Sequence, residues 1–220
     1  RHEECRKWNA DHERIKKGVG LAAGAHVNGF YPDMEFANVL LKLNEDGSIL
    51  ANVCLHDHGC GSITASRKII AEVLQIDEEK VYIHRPDTDY NFYDYGCYGS
   101  RTVYVIGRAT QKAAEHLLEN LRQKAAILLD ADIKKLIYAD GCFINPATKA
   151  RATLSDIANH YQDNNEDIYV TEEYTAVDNP TSSGAHFVQV AVDTLTGLTK
   201  VEAYYAVYDI GQAVNPGMCR

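Results

Sequence analysis

The sequence lacks the long apolar run that a membrane-spanning helix requires, because no stretch approaches ~18 consecutive apolar residues. It is also short of positive charge, with 22 Lys and Arg against 31 Asp and Glu and a formal net charge of −9. A protein that binds nucleic acid needs a basic face toward the phosphate backbone. We therefore expect neither a nucleic-acid partner nor a membrane, and the first residues show no signal peptide.

Closely spaced cysteine pairs are absent as well. The six cysteines lie far apart and form no C-x-x-C pair. This is too sparse for the disulfide framework of a secreted protein, and the spacing does not match iron–sulfur ligation. Reduced thiols in a cytoplasmic protein are the expected state.

What the chain does have is enough apolar sequence for a core, since 45% of its 220 residues are hydrophobic and 24% are charged. Alternating and helical apolar patterns predict an α+β fold with mixed sheets and flanking helices, built from two related lobes. We expect a charged lead-in over 1–17, a first lobe over 18–131 and a second lobe over 132–220, truncated at its C-terminal end. Strands are predicted at 19–28, 36–43, 49–55, 80–84, 135–138, 142–144, 185–192 and 199–208, and helices at 65–74, 109–129 and 153–161.

An internal repeat supports the two related lobes. A strand, a turn and a second strand end in Asp57-His58-Gly59, and the same order ends in Asp209-Ile210-Gly211. This pattern indicates a structural duplication. Both chain ends look cut from a longer protein.

Two glycine loops are the main candidates for a site. The first, D-H-G-C-G-S-I-T at 57–64, lies between an apolar strand and a predicted helix. Bare backbone N–H groups at the positive end of a helix can bind an anion or the edge of a cofactor. The second loop, G-C-Y-G-S-R-T at 96–102, follows a segment dense in Asp and Tyr at 87–98, which favours a role facing the site. Two such loops predict a cofactor cradle.

Other interpretations of the first loop remain possible on the sequence. Cys54, His56, His58 and Cys60 alternate, so a strand would place all four on one face, where zinc could bind. The outer two would be ~20 Å apart, too far to share one ion. Cys60 could instead act as a nucleophile with His58 as its base. The plainest alternative is a tight turn between strand and helix.

A series of short motifs runs through the chain in a fixed order: G-V-G-L-A (18–22), E-D-G-S (45–48), D-H-G-C-G-S-I-T (57–64), I-I-A-E-V-L (69–74), D-T (87–88), G-S-R-T (99–102), G-R-A (107–109), G-A-H-F (184–187), V-D-T-L-T-G (192–197) and D-I-G-Q-A-V-N-P (209–216). Over about residues 18–216 this ordered set resembles the molybdopterin-binding subunit of the xanthine dehydrogenase/aldehyde oxidase family. The chain resembles an internal fragment of the second cofactor-binding domain of that subunit.

The resemblance implies a function. Members of the family hydroxylate aldehydes or N-heterocycles with oxygen from water, and the dithiolene of a pterin, not a protein side chain, holds the molybdenum. It further implies iron–sulfur and FAD partners, a small-molecule substrate and the remainder of the subunit. The cofactor-contacting residues that it implies are Gly59, Cys60, Gly61, Ser62, Gly99, Ser100 and Thr102.

Two departures from the family pattern stand out. Cys60 replaces the usual glutamine of the first loop, and Lys68 replaces a second glutamine in the following helix. A thiol does not supply the hydrogen bonds of an amide, which argues against xanthine-like substrates. The family's catalytic glutamate would follow Arg220, so we expect no catalytic residue here and an inactive fragment. A non-catalytic binding or assembly module is the alternative. Arg101 is expected to anchor its loop by a salt bridge.

Overall fold

The computed structural model describes residues 1–29 and 33–219. In chain order its helices and strands are α1 (His2–Asp11), β1 (Ile15–Val27), β2 (Phe36–Leu43), β3 (Ile49–Val53), α2 (Ser62–Leu74), β4 (Val81–Ile83), α3 (Gly107–Leu128), β5 (Ile137–Ala139), β6 (Cys142–Ile144), β7 (Arg151–Thr153), α4 (Leu154–Gln162), β8 (Tyr169–Thr175), β9 (Thr181–Asp193) and β10 (Thr199–Asp209). A π-helical turn at Thr102–Ile106 leads into α3.

The described chain forms two compact units. The first consists of residues 1–27 and 180–213, and the second of the described residues in 28–179 and 214–219. These units differ from the lobes expected at 18–131 and 132–220 and from a separate lead-in at 1–17. The physical reason is strand pairing: β1 runs antiparallel to β9 along its whole length, from Ile15 opposite Asp193 to Val27 opposite Thr181.

The first unit is a three-stranded antiparallel sheet in the order β1-β9-β10, with α1 against β1. The second unit contains a four-stranded sheet in the order β4-β3-β2-β8. Its strands β3 and β4 are parallel, whereas β2 pairs antiparallel with both neighbours. The sheet is therefore mixed, and the predicted α+β fold with flanking helices is confirmed.

The core of the second unit follows from two sequence periods. Every second residue of β2 is buried, which gives the strand one apolar face. The predicted apolar stripe of α3 is buried at helical spacing, and the helix packs on β2, β8 and α2. The buried stripe includes Ala113, Ala114, Leu117, Leu121 and Ala125.

Two strands were missing from the sequence prediction, β7 and β8. The strands β9 and β10 and the helix α4 lie within a few residues of their predicted positions. Thr153 begins α4 with a capping box, since its hydroxyl accepts from the Asp156 N–H at 3.1 Å and the Asp156 carboxylate accepts from the Thr153 N–H at 2.8 Å. No helix within the described ranges is long and apolar enough to cross a membrane.

Candidate functional site

The first glycine loop connects β3 to α2 within the second unit. Gly59 and Gly61 have φ angles of 92° and 73°, in the left-handed region that favours glycine. A Cβ placed on either residue would meet no heavy atom within 4 Å. The backbone is therefore open on this side, and a ligand can approach it closely.

The N–H groups of this loop are not bare, contrary to the sequence prediction. Oδ1 of Asp57 accepts hydrogen bonds from the N–H of Gly59 at 2.8 Å and of Gly61 at 3.2 Å. The bond from Gly59, together with those from the other N–H groups of the turn, holds the pKa of Asp57 below its usual value. A side chain of the loop itself thus occupies the predicted anion position.

The second glycine loop also bends through left-handed conformations. Gly99 has a φ of 54° and Ser100 a φ of 58°. The Gly96 N–H donates to Asp94 at 2.7 Å, and the Gly99 carbonyl accepts from the Gly29 N–H at 2.8 Å. The loop is thus held at Gly96 and at Gly99 before α3 begins.

Arg101 anchors this loop from inside the protein, as predicted. Its side chain is fully buried, with Nε donating to Glu35 Oε2 at 2.7 Å and Nη1 to Asp94 Oδ1 at 2.8 Å. Nη1 and Nη2 also donate to the carbonyls of Gly96 and Phe36. Burial alone would lower the pKa of Arg101, but the two carboxylates raise it overall. The guanidinium therefore stays charged and holds the loop to the strand end.

The two glycine loops meet at the carbonyl oxygen of His56. The Ser62 hydroxyl donates to it at 3.0 Å, and the Cys97 thiol donates to it at 3.1 Å. The Thr102 hydroxyl in turn donates to the Cys97 sulfur at 3.2 Å. The structure therefore brings together the two loops that the sequence paired only by their composition.

The predicted contact residues differ in exposure. Gly59, Cys60 and Ser100 are exposed, Gly61, Gly99 and Thr102 are half-buried, and Ser62 is buried. Because the hydroxyls of Ser62 and Thr102 bond within the protein, they support the loops. Sequence reasoning missed Asp57, Cys97 and Glu35. The Asp57 contact could have been found, since Asp two residues before Gly commonly accepts from its N–H.

The structure does not support the two alternative interpretations of the first loop, a zinc site and a Cys60 nucleophile with His58 as its base. No group of three or more His, Cys, Asp or Glu side chains in the described part of the chain could hold a metal ion. The Cys54 sulfur lies 3.8 Å from Nε2 of His56. Within the same residues no hydrogen bond joins Cys60 to His58. Lys68, the second departure from the family pattern, forms an ion pair with Glu78.

The segment before the second loop presents aromatic side chains. Tyr93 and Tyr95 lie edge to face with ring centroids 5.4 Å apart, and Phe36 packs edge to face on Tyr95 at 5.6 Å. Tyr93 is 68% exposed. The carboxylates here serve the loop, because Asp94 binds Arg101 and Asp87 accepts from the Asp89 N–H at 2.9 Å.

The first unit contains a separate open cavity of about 450 Å³ on its sheet. Its wall includes His186, whose Nε2 lies 2.8 Å from the Tyr208 hydroxyl. The Tyr208 ring lies over Gly184, where a Cβ would come within 2.6 Å of it. The missing side chain at Gly184 is therefore what lets Tyr208 reach His186.

Comparison with known proteins points to one family. The family model described as "Molybdopterin cofactor-binding domain" matches residues 1–220. The chain is 31% identical to "Probable hypoxanthine oxidase XdhD" of Escherichia coli (strain K12), over 90% of this chain and 21% of that protein. It is 26% identical to "Nicotine 6-hydroxylase large subunit" of Paenarthrobacter nicotinovorans, over 80% of this chain and 23% of that protein.

Solved structures share the fold. A crystal structure of the Cu,Mo-CO dehydrogenase matches 98% of this chain and 29% of its own with a TM-score of 0.85 at 24% identity. Quinoline 2-oxidoreductase from Pseudomonas putida 86 matches 99% of this chain and 30% of its own with a TM-score of 0.84 at 22% identity. The chain thus spans less than a third of the length of each of these proteins.

Proposed function

Because the chain belongs to the molybdopterin cofactor-binding domain family, we propose that its two glycine loops help to hold the molybdenum–molybdopterin cofactor of a molybdenum hydroxylase. The whole protein would oxidise an aldehyde or an N-heterocycle with water as the oxygen source. The observation that carries the proposal is the meeting of both loops at the His56 carbonyl, beside backbone that is open at Gly59 and Gly61.

The residues present fit such a group. A planar, strongly hydrogen-bonding cofactor needs close backbone approach, and Gly59 and Gly61 leave the space that a Cβ would fill. The proposed contact set is Gly59, Cys60, Gly61, Ser62, Gly99, Ser100 and Thr102. Ser62 and Thr102 would contribute backbone groups, because their hydroxyls already donate to His56 and Cys97.

The bound cofactor would supply the redox chemistry, and this chain would orient it. We assign no catalytic residue and no metal-ligating side chain within the chain. The proposed partners are the remainder of the cofactor-binding subunit, iron–sulfur and FAD subunits or domains that accept electrons, and a small-molecule substrate. Relatives named as a large chain or as "complex subunit gamma" support a multi-subunit assembly. The proposed location is the cytoplasm.

The names of these relatives refer to hypoxanthine, nicotine and carbon monoxide. Family membership therefore leaves the substrate open. Cys60 is exposed on the first loop, where the family pattern has glutamine. A thiol is a weak donor and a weak acceptor, so we propose a substrate that needs no amide at this position.

One observation favours the second candidate, a non-catalytic module. Asp57 satisfies the N–H groups of Gly59 and Gly61, so the first loop has its hydrogen bonds without any ligand. A domain that had lost its cofactor could keep this loop intact. Elemental analysis distinguishes the two candidates.

The test is plasma mass spectrometry for molybdenum, zinc and selenium on the full-length parent protein from its native host. About one molybdenum per chain would support the cofactor function. The absence of molybdenum, in a host whose other molybdoenzymes contain the metal, would favour the non-catalytic module. Zinc in its place would support the hypothesis of a zinc site formed by the Cys and His residues of 54–60.

A matched pair of glycine variants connects the metal content to the loop. Gly61→Ala and Gly197→Ala introduce the same strain, because both glycines have a φ near 75° and open space at the Cβ position. Gly197 lies in the turn between β9 and β10, outside the proposed site. We expect molybdenum content to fall in the first variant only. Equal loss in both would show a folding defect and contradict a cofactor contact at Gly61.

A further inference from the structure

The carboxylate of Asp57 binds the backbone of the same loop that Asp57 begins. One oxygen of its carboxylate accepts from both glycine N–H groups, at 2.8 and 3.2 Å. Gly59 and Gly61 reach this geometry through left-handed φ angles, which turn their N–H groups toward one point. The carboxylate therefore sits where a free anion would bind to such a loop.

The next helix strengthens this arrangement. α2 begins at Ser62, directly after the loop, so the positive end of the helix faces the same carboxylate. A charged acceptor forms stronger hydrogen bonds to N–H groups than a neutral one does. The ionised form of Asp57 is thus the one that fits the loop.

We propose that Asp57 is a positioning residue that serves as a built-in anion for the first glycine loop. It holds Gly59 and Gly61 in their open conformation, and its charge excludes free phosphate from their N–H groups. The cofactor would then meet this loop through a neutral hydrogen-bonding edge, near Cys60, rather than through a phosphate. That consequence rests on the proposed function, whereas the role of Asp57 does not.

The experiment uses the cofactor-free 220-residue chain, isotope-labelled for NMR. Inorganic phosphate is added while the amide resonances of Gly59 and Gly61 are followed in the wild type, Asp57→Ala and Asp57→Asn. We expect no response in the wild type and saturable shifts in Asp57→Ala. Shifts of equal size and affinity in the wild type would overturn the proposal, since its N–H groups would then be available to phosphate.

Amide hydrogen exchange separates positioning from simple charge repulsion. We expect Gly59 and Gly61 to exchange about ten-fold faster or more in Asp57→Ala, and Asn at this position to restore part of the protection because its side-chain oxygen still accepts. Unchanged exchange in both variants would overturn the positioning role. If Asp57→Ala does not fold, Asp57→Asn still tests the exclusion, because loss of the charge should allow phosphate to bind.

Asp77→Ala is the matched control. Asp77 accepts from the Glu79 N–H at 3.1 Å in the same type of local contact, elsewhere in the second unit. It should leave the exchange and the phosphate response of Gly59 and Gly61 unchanged. Loss of molybdenum from the whole protein plays no part in these measurements, so the proposed function can fail while the role of Asp57 stands, and the reverse.

Discussion

Replacement of Arg101 by methionine should destabilise the second unit strongly. The substitution removes the cation from between two carboxylates whose side chains are only 3% and 4% exposed, those of Glu35 and Asp94. Removal of one partner from a buried ion pair costs about 3–5 kcal/mol, because the charge left behind is uncompensated. For a protein of this size, such a loss lowers the melting temperature by roughly 6–20 °C.

The measurement is urea denaturation followed by far-ultraviolet circular dichroism. Three of the four described helices, α2, α3 and α4, lie in the second unit and dominate this signal. Fluorescence of Trp8, the single tryptophan, would not serve, because it lies in the first unit.

Arg14→Ala is the control for the loss of an arginine. Arg14 binds Asp193 through two nitrogens, but its side chain is 62% exposed, so solvent screens the pair and its loss should cost far less than the loss of Arg101. The double variant Arg101→Met with Glu35→Gln should recover part of the loss, since one stranded charge is removed. A cost below about 1 kcal/mol for Arg101→Met alone would refute the view that this buried cluster anchors the second glycine loop.

Three further predictions concern other parts of the chain. Thr153→Ala should cost about 1 kcal/mol of unfolding free energy by denaturation, whereas Thr153→Ser should keep the cap; equal losses would contradict the capping box. Gly184→Ala should displace the Tyr208 ring and break its hydrogen bond to His186, visible as a changed tyrosine hydroxyl environment by NMR; an unmoved ring would contradict the contact. The Arg14 hydrogen bond lowers the pKa of Asp193 to about 2. The stabilisation from the ionised Asp193 should therefore be full above pH ~4 and lost as the pH falls toward 2. An NMR titration of Asp193 with the same midpoint in Arg14→Ala would contradict this.

Local patterns predicted the second unit well. The strict alternation of β2 and the stripe of α3 are short-range signals that burial alone produces. β8 was missed because it lies at the edge of its sheet, where its sequence Y-V-T-E-E-Y-T carries two consecutive charges and buries only Val170. An edge strand pairs with a neighbour on one side only and commonly carries charged residues, so its own apolar pattern predicts it poorly.

Contacts between distant residues were beyond the sequence pattern. Ile15 pairs with Asp193, and this long-range register decides the boundaries of the two units. For the site, the glycines themselves predicted where the loops turn. What occupies their N–H groups and what anchors them depends on side chains brought together by the fold, as Glu35 and Arg101 are across 66 positions.

The His56 carbonyl has one further consequence. A carbonyl oxygen has two lone pairs, and here the Ser62 hydroxyl and the Cys97 thiol engage both. The Ser62 bond lies within the first loop, whereas the Cys97 bond joins the second loop to this oxygen, so separation of the loops has to break the Cys97 bond. The rate at which Cys97 reacts with a thiol-alkylating reagent should therefore report how often the loops open. Any ligand that joins the loops should lower this reaction rate.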